Sequence, residues 1–113
     1  MANNRTIEIL TITLHPGKRE EFHRTYIKES LPIQKKWEIN VATHGFSQHD
    51  ENSYYVVRYF KSLEDLQKKE DEFYNSDDWK KGPRSKILGM IDHISTIVIP
   101  VDTLREWLEI TSK

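Results

Sequence analysis

The chain has 113 residues, the length of one domain, and we treat residues 1–113 as a single unit. Its 17 basic and 18 acidic residues leave a net charge of −1, which gives it no electrostatic reason to bind nucleic acid or an anionic membrane. The absence of cysteine excludes disulfides, thiol catalysis and cysteine-bound metals. Because the N-terminus lacks a signal-peptide pattern and no apolar run is long enough to cross a membrane, we expect a cytoplasmic protein.

The first predicted elements are a strand and a helix. Residues 6–14, TIEILTITL, are β-branched and alternate, and they stop at His15-Pro16-Gly17, a strong turn signal. Residues 18–30 place Phe22, Tyr26 and Ile27 at helical spacing, opposite charged residues. Pro32 lacks a backbone donor, so the helix is predicted to end or kink there, with one further turn over residues 33–37.

Two strands follow and form a predicted hairpin. Residues 41–47 and 54–60 are separated by the polar, turn-like residues 49–53. Ser62 then begins a capping box with Asp65 at its last position, which predicts the start of a second helix.

The rest of the chain predicts broken helices, a fourth strand and a final helix. Leu66, Phe73 and Tyr74 face inward, residues 75–78 interrupt the helix, and Trp79 opens a second piece. Gly82-Pro83 breaks this piece, after which Ile87, Leu88 and Ile91 resume an apolar face. Residues 93–99 are the fourth strand, and Thr103 begins a short helix carrying Leu104, Trp107 and Leu108.

The order β-α-β-β-α-β predicts an α+β fold of the ferredoxin-like class, with a four-stranded antiparallel sheet and an added C-terminal helix. Right-handed crossovers in both halves place both helices on one face of the sheet. The other face is left open.

Residues 54–60, YYVVRYF, are apolar on both sides of the predicted strand except at Arg58. Because an unpaired buried charge is very costly, we assign Val56, Arg58 and Phe60 to the open face. Tyr55, Val57 and Tyr59 are then expected under the helices. The same argument assigns to the open face residues from the other three strands: Glu8, Leu10, Ile12 and Leu14; Ala42, His44 and Phe46; and His93, Ser95, Ile97 and Ile99.

The predicted open face is too apolar to meet water. Its members include Leu10, Ile12, Leu14, Val56, Phe60, Ile97 and Ile99. We therefore expect a second copy to cover it in a two-fold homodimer. A shift of one residue would exchange the faces of a strand, but the alternate residues are mostly apolar too, so the dimer is expected either way.

Several segments resemble the NIPSNAP family of dimeric α/β-barrel proteins. They are TITLHPGKREEF, Leu31-Pro32, YFKSLEDL and NSDDW with Trp79, and together they extend over most of residues 5–100. The resemblance implies a ferredoxin-like protomer whose sheet pairs with that of a second copy to form a barrel.

Sister families with this barrel include cofactor-independent monooxygenases acting on polycyclic phenols, heme-degrading enzymes and heme proteins that handle chlorite or peroxide. Strand one here lacks the Asn of the heme-degrading pattern. Leu10 and Ile12 stand where NIPSNAP proteins often carry Arg and an aromatic residue. We expect no metal and no dissociable cofactor.

Four ionisable residues are candidates for a site. Glu8 and Arg58 lie on adjacent strands and one face, where they would form either an anion clamp or a neutralising pair that permits both charges to be buried. His44 and His93 are predicted to point into a common space, where either could act as a general base. The alternative is two hydrogen-bonded histidines at strand edges.

Two aromatic residues complete the candidate site. Trp79 would close a cavity between the sheet and the second helix, or anchor the core. Tyr26 would pack in the core or present a hydroxyl to the cavity.

Two functions follow from these alternatives. In the first, a homodimer binds a small aromatic or enolisable molecule between sheet and helices, and acts on it as a monooxygenase or isomerase, with His93 or His44 as base and Arg58 stabilising the anion. In the second, the interior is filled, and the dimer has a structural or protein-binding role without catalysis.

Overall fold

The computed structural model describes residues 5–101 and confirms the predicted ferredoxin-like topology. Strands β1 (Thr6–Leu14), β2 (Asn40–Phe46), β3 (Ser53–Phe60) and β4 (Ile91–Pro100) form one antiparallel sheet. The strand order is β2-β3-β1-β4, so the central strands are β1 and β3, from which the two helical crossovers to β2 and β4 begin.

The first helical region does not end at Pro32. It comprises α1 (Arg19–Thr25), a π-helical segment (Tyr26–Ser30) and α2 (Leu31–Lys36). Pro32 lies in the first turn of α2, where its missing N–H has the smallest cost. A π-helical segment inside an α-helix is unusual and is often found at functional sites.

The second helical region is broken as predicted into α3 (Leu63–Tyr74), α4 (Asp77–Lys80) and α5 (Arg84–Met90). Ser62 caps α3, since its Oγ accepts from the Asp65 N–H at 3.0 Å. Asp65 Oδ2 accepts a hydrogen bond from the backbone N–H of Lys61. In an ideal capping box it would accept from the N–H of the cap residue itself, which is Ser62.

Two findings bound what the helices can do. No helix among residues 5–101 is long and apolar enough to cross a membrane. The predicted C-terminal helix with Leu104, Trp107 and Leu108 lies outside the described residues.

The core lies between the sheet and the helices. The sheet contributes Ile12, Leu14, Tyr54, Val56 and Phe60, and the helical regions contribute Phe22, Tyr26, Leu66, Phe73, Trp79, Ile87 and Met90. The predicted inward positions of Leu66, Phe73 and Ile87 are therefore confirmed, whereas Tyr74 is 37% and Leu88 42% exposed, contrary to the predicted apolar face.

The predicted sheet faces are wrong for three of the four strands. Val56, Arg58 and Phe60 lie under the helices, and Tyr59 is 43% exposed on the open face with Tyr55 and Val57. The paired positions on the neighbouring strands, Glu8, Leu10, Ile12 and Leu14 on β1 and His44 and Phe46 on β2, also lie on the helix side.

The fourth strand has the predicted facing. Ile99, Ile97 and Ser95 pair with Ile7, Ile9 and Thr11 of β1, which belong to the open face. The open face is consequently still apolar, but its members on β1 and β3 are the alternate residues: Ile7, Ile9, Tyr55, Val57 and Tyr59, with Ile97 and Ile99 from β4.

Candidate functional site

Arg58 lies at the centre of a buried polar network on the helix side of the sheet. Strand register places it directly opposite Glu8, whose Oε1 is 2.7 Å from Nε and 2.6 Å from one terminal nitrogen, Nη2. Nη2 also donates to Glu70 of α3 at 3.0 Å. The other terminal nitrogen, Nη1, donates to Gln34 at 3.1 Å and to the Tyr74 hydroxyl at 3.2 Å.

The premise that Arg58 would avoid the core was therefore wrong for a physical reason. Its side chain is buried, but it is not unpaired, since all five N–H groups have an acceptor within 3.2 Å. Two of those acceptors, Glu70 and Tyr74, come from α3, and Gln34 comes from α2. Arg58 can enter the core because the helices bring it partners.

The carboxyl group of Glu70 beside Arg58 keeps its proton to a higher pH than an ordinary glutamate does. Burial and a hydrogen bond with Glu8 raise the pKa of Glu70 to about 8, although Arg58 opposes the shift. Burial alone would lower the pKa of Arg58, but Tyr74, Glu8 and Glu70 outweigh it and raise that pKa. At neutral pH the Glu70 carboxyl group is therefore mostly protonated.

A line of polar side chains runs along the first helical region toward Arg58. Tyr26, Ser30 and Gln34 are spaced four residues apart and are all buried. Gln34 Nε2 donates to the Tyr26 hydroxyl at 3.0 Å and to Ser30 Oγ at 3.1 Å. The π-helical segment carries both hydroxyl residues, and Gln34 connects them to the arginine network.

This polar line borders a cavity of about 90 Å³ between the sheet and the helices. Its polar lining comes from Tyr26, Ser30, Gln34, Arg58 and Tyr74, and its apolar lining includes Leu10, Ile12, Val56, Trp79, Leu88 and Ile94. Tyr74, Trp79 and Leu88 also line an open surface groove, so this is where the cavity approaches solvent.

A second polar cluster lies on the same side of the sheet. The hydroxyl of Tyr54 is 2.7 Å from His23 Nδ1 and 2.8 Å from His44 Nδ1. Since a hydroxyl donates a single proton, one histidine accepts from Tyr54 while the other donates to it. Burial and the nearby His23 lower the pKa of His44. Tyr26 packs against Tyr54 and His44, but its hydroxyl bonds to Gln34.

The structure brings together four of the six predicted site residues. Glu8, Arg58, Tyr26 and Trp79 belong to the cavity or to its polar network. The two histidines are separated: His44 is on the helix side, while His93 is exposed and bonds to Ser95. The prediction that they share one space is wrong because β2 and β4 present them from opposite faces. Neither lines the cavity.

Sequence reasoning missed Gln34, Glu70, His23 and Tyr54. A signal existed for two of them. Glu70 stands four residues after Leu66 and three before Phe73, on the inward face of α3, and Gln34 follows Tyr26 and Ser30 at helical spacing. A polar residue on a predicted core face indicates a buried partner. No comparable spacing links His23 to Tyr54, which are distant in sequence.

Within residues 5–101 no group of three or more His, Cys, Asp or Glu side chains is arranged to hold a metal ion. The donor set of the cavity also suits organic hydrogen-bond acceptors better than a cation, because its hydroxyl and indole groups are not the carboxylate, imidazole or thiolate ligands of protein metal sites.

The sequence model of the NIPSNAP family matches residues 7–104, which is most of the chain. The chain belongs to the NIPSNAP family. No curated protein is significantly similar to it in sequence.

Solved structures show the same fold as this NIPSNAP protein. A NIPSNAP-like domain protein from Burkholderia xenovorans is 15% identical, with a TM-score of 0.80 over 87% of this chain and 85% of that one. A NIPSNAP family protein of unknown function from Agrobacterium tumefaciens is 20% identical, with a TM-score of 0.80 over 88% and 90% of the two chains.

The fold extends beyond the family. SnoaB, a cofactor-independent oxygenase from Streptomyces nogalater, is 9% identical, with a TM-score of 0.63 over 85% of this chain and 91% of that one. At these identities the likeness is one of fold.

Proposed function

We propose that this NIPSNAP protein is a homodimer that binds a small organic molecule in the cavity between its sheet and its helices. The observation that carries the proposal is the cavity itself, which is bordered on one side by apolar side chains and on another by buried hydroxyl, amide and guanidinium groups. A pocket of apolar walls with a few convergent polar groups is the usual form of a small-molecule site. The cavity favours this function over a dimer with a filled interior.

The cavity supports binding more strongly than acid–base catalysis. The titratable groups among its lining residues are Tyr26, Arg58 and Tyr74, and burial raises the pKa of Tyr26 to about 12. Phenol and guanidinium groups are not the usual general bases of enzymes at neutral pH. A catalytic role for His44 or His93 stays a prediction, and the monooxygenase-like fold does not by itself supply an activity.

The homodimer is supported by the open face of the sheet. Ile7, Ile9 and Val57 occupy its centre, and Ile97 is 59% exposed beside them. Exposed apolar side chains in a continuous row mark a surface that another protein surface covers. A second copy with the same apolar sheet face can cover it in a closed two-fold arrangement.

Binding in the cavity is tested with ethylbenzene as an apolar probe, observed by NMR of the ligand. We expect saturable binding to the wild type, and a loss of at least ten-fold in Leu10→Phe, because Leu10 lines the cavity and the larger ring fills it. Leu63→Phe, the same exchange at a 52% exposed position outside the cavity, is the control and should leave binding within two-fold. Equal binding by Leu10→Phe would place the probe elsewhere.

The dimer is tested by light scattering at micromolar concentration. We expect twice the 13.5 kDa chain mass for the wild type and a single chain mass for Ile97→Asp, since a carboxylate would be buried in the interface. Thr96→Asp, exposed on the other side of β4, should remain a dimer. A folded dimeric Ile97→Asp protein, or a monomeric wild type, would contradict the proposed interface.

A further inference from the structure

We propose that the cavity selects an uncharged molecule of single-ring size that carries a carbonyl oxygen, and that this oxygen accepts a hydrogen bond from the Tyr26 hydroxyl. The inference rests on the proposed function, in which a small molecule occupies this cavity, and it adds the chemical class of that molecule.

Arg58 fixes the direction of the hydrogen bonds around Gln34. An arginine side chain can only donate, so the group of Gln34 that faces Arg58 Nη1 at 3.1 Å must be its carbonyl oxygen. The amide NH₂ must then face the other way, toward Tyr26 at 3.0 Å and Ser30 at 3.1 Å. Arg58 thereby determines the orientation of the whole amide.

The orientation of the Gln34 amide leaves the hydroxyl protons of Tyr26 and Ser30 available to a ligand. Because Gln34 donates to the oxygens of Tyr26 and Ser30, each of these hydroxyls retains its proton for another acceptor. Tyr74 is in the same condition, since its oxygen accepts from Arg58 at 3.2 Å. No residue in the described part of the chain accepts a bond from any of the three hydroxyls, and all three line the cavity.

Three hydroxyl donors, from Tyr26, Ser30 and Tyr74, line one cavity together with Trp79. The cavity therefore offers donors that lack acceptors, and a ligand that supplies an acceptor oxygen would complete them. Burial keeps the pKa of Tyr26 near 12, so its hydroxyl remains a donor at every physiological pH.

A carboxylate is not the preferred acceptor in this cavity. All five N–H groups of Arg58 are already bonded to Glu8, Glu70, Gln34 and Tyr74, so Arg58 has no free donor for an anion. Its guanidinium group is already paired with the carboxyl groups of Glu8 and Glu70. An added anion would lose its hydration without gaining a cation.

The volume of the cavity limits the size of the ligand. The cavity of about 90 Å³ is smaller than the ~150 Å³ engineered cavity that holds one benzene molecule. Because the cavity is the smaller of the two, a single ring fits only when part of it extends into the groove beside Tyr74 and Leu88. Two fused rings do not.

The experiment compares four probes by ligand-observed NMR at pH 6.5: ethylbenzene, acetophenone, benzoate and 2-acetonaphthone. The quantity measured is the ratio of acetophenone to ethylbenzene affinity, because the two have nearly the same shape and differ in the carbonyl oxygen. We expect Tyr26→Phe to lower this ratio by about three- to ten-fold, the effect of one hydrogen bond, and to leave ethylbenzene binding within two-fold. Tyr55→Phe, on the open face, should not change the ratio.

For the wild type we expect benzoate and 2-acetonaphthone to bind at least ten-fold more weakly than acetophenone. An unchanged ratio in Tyr26→Phe, or tighter binding of benzoate or of 2-acetonaphthone, would overturn the inferred ligand class while ethylbenzene binding kept the proposed site intact. If none of the four probes bound, both the ligand class and the proposed function would fail.

Discussion

Strand β3 contributes to two surfaces that differ sharply. Phe60 and Arg58 point toward the helices and are 2% and 3% exposed, whereas Tyr59 between them is 43% exposed. The helix side of the sheet thus contains a salt-bridged network and a cavity, and the open side contains a row of isoleucine, valine and tyrosine side chains.

The difference shows that a charged side chain can be buried where other side chains provide hydrogen-bond partners for it. Arg58 is buried because Glu8, Glu70, Gln34 and Tyr74 meet every one of its donors. Ile97 is exposed because no described element packs on its side of the sheet. Hydropathy ranks these two residues in the opposite order.

The largest expected effect comes from removing the charge on the buried side. Arg58→Met should lower the free energy of unfolding by about 3–5 kcal/mol, because the buried carboxyl group of Glu8 and the partly buried one of Glu70 lose their cation. Urea denaturation measures the loss. Arg19→Met is the control: Arg19 donates to backbone carbonyls of Ser47, Asp50 and Ser53 at a partly exposed site, and its loss should be about 1 kcal/mol.

The cause of that loss can be separated from simple loss of packing. In the Arg58→Met background, changing Glu8 and Glu70 to Gln should recover part of the stability, because no uncompensated carboxylate remains. If Arg58→Met cost less than 1 kcal/mol, or if the glutamines recovered nothing, the network would not be what holds Arg58 in the core.

Two adjacent residues of β3 compare the faces directly. Phe60→Ala should lower the free energy of unfolding by about 3–5 kcal/mol at any protein concentration, since it opens a cavity in the core. Tyr59→Ala should have its effect only at concentrations where the proposed dimer forms. Denaturation at two protein concentrations distinguishes them, and a Tyr59→Ala loss that is equal at both would argue against the dimer.

A smaller effect is expected from pH. Glu70 has a folded-state pKa of about 8 against 4.5 when unfolded, so between these values the folded chain holds a proton that the unfolded chain has lost. Its contribution to stability is fully present below about pH 4.5 and is lost as pH rises through about 8. Allowing for the partial exposure of Glu70, we expect a decrease of roughly 1–2 kcal/mol.

Glu70→Gln is the matched variant for this prediction. Its amide can donate to Glu8 and accept from Arg58 as the protonated acid does, and it does not titrate. We expect the free energy of unfolding to vary less between pH 5 and pH 8.5 than in the wild type. A variant that kept the full pH dependence would assign that dependence to another group.

Much of the fold was predictable because each element follows from a local pattern of residues. The alternation in TIEILTITL, the turn at Pro16-Gly17 and the Ser62 cap each predict an element that the structure contains. The pairing of Glu8 with Arg58 was also predictable, because residues at equal parity on neighbouring strands share a face.

The candidate site was predictable only in part. Glu8, Arg58, Tyr26 and Trp79 were identified by residue type, and the structure groups them around the cavity or its network. Gln34 and Glu70, which orient Arg58, lie on other elements, and no pattern within β3 refers to them. His44 and His93 were joined by an incorrect assignment of faces.

By itself the sequence determined the order of elements, the antiparallel sheet and the fact that Glu8 and Arg58 lie together. Only the tertiary structure decided which side of the sheet they occupy. The physical reason is that successive side chains of a strand point to opposite faces of the sheet. The alternation identifies which residues share a face, but it does not show which face is buried. The helices settle that question, because Gln34, Glu70 and Tyr74 make the interior the better place for a guanidinium group.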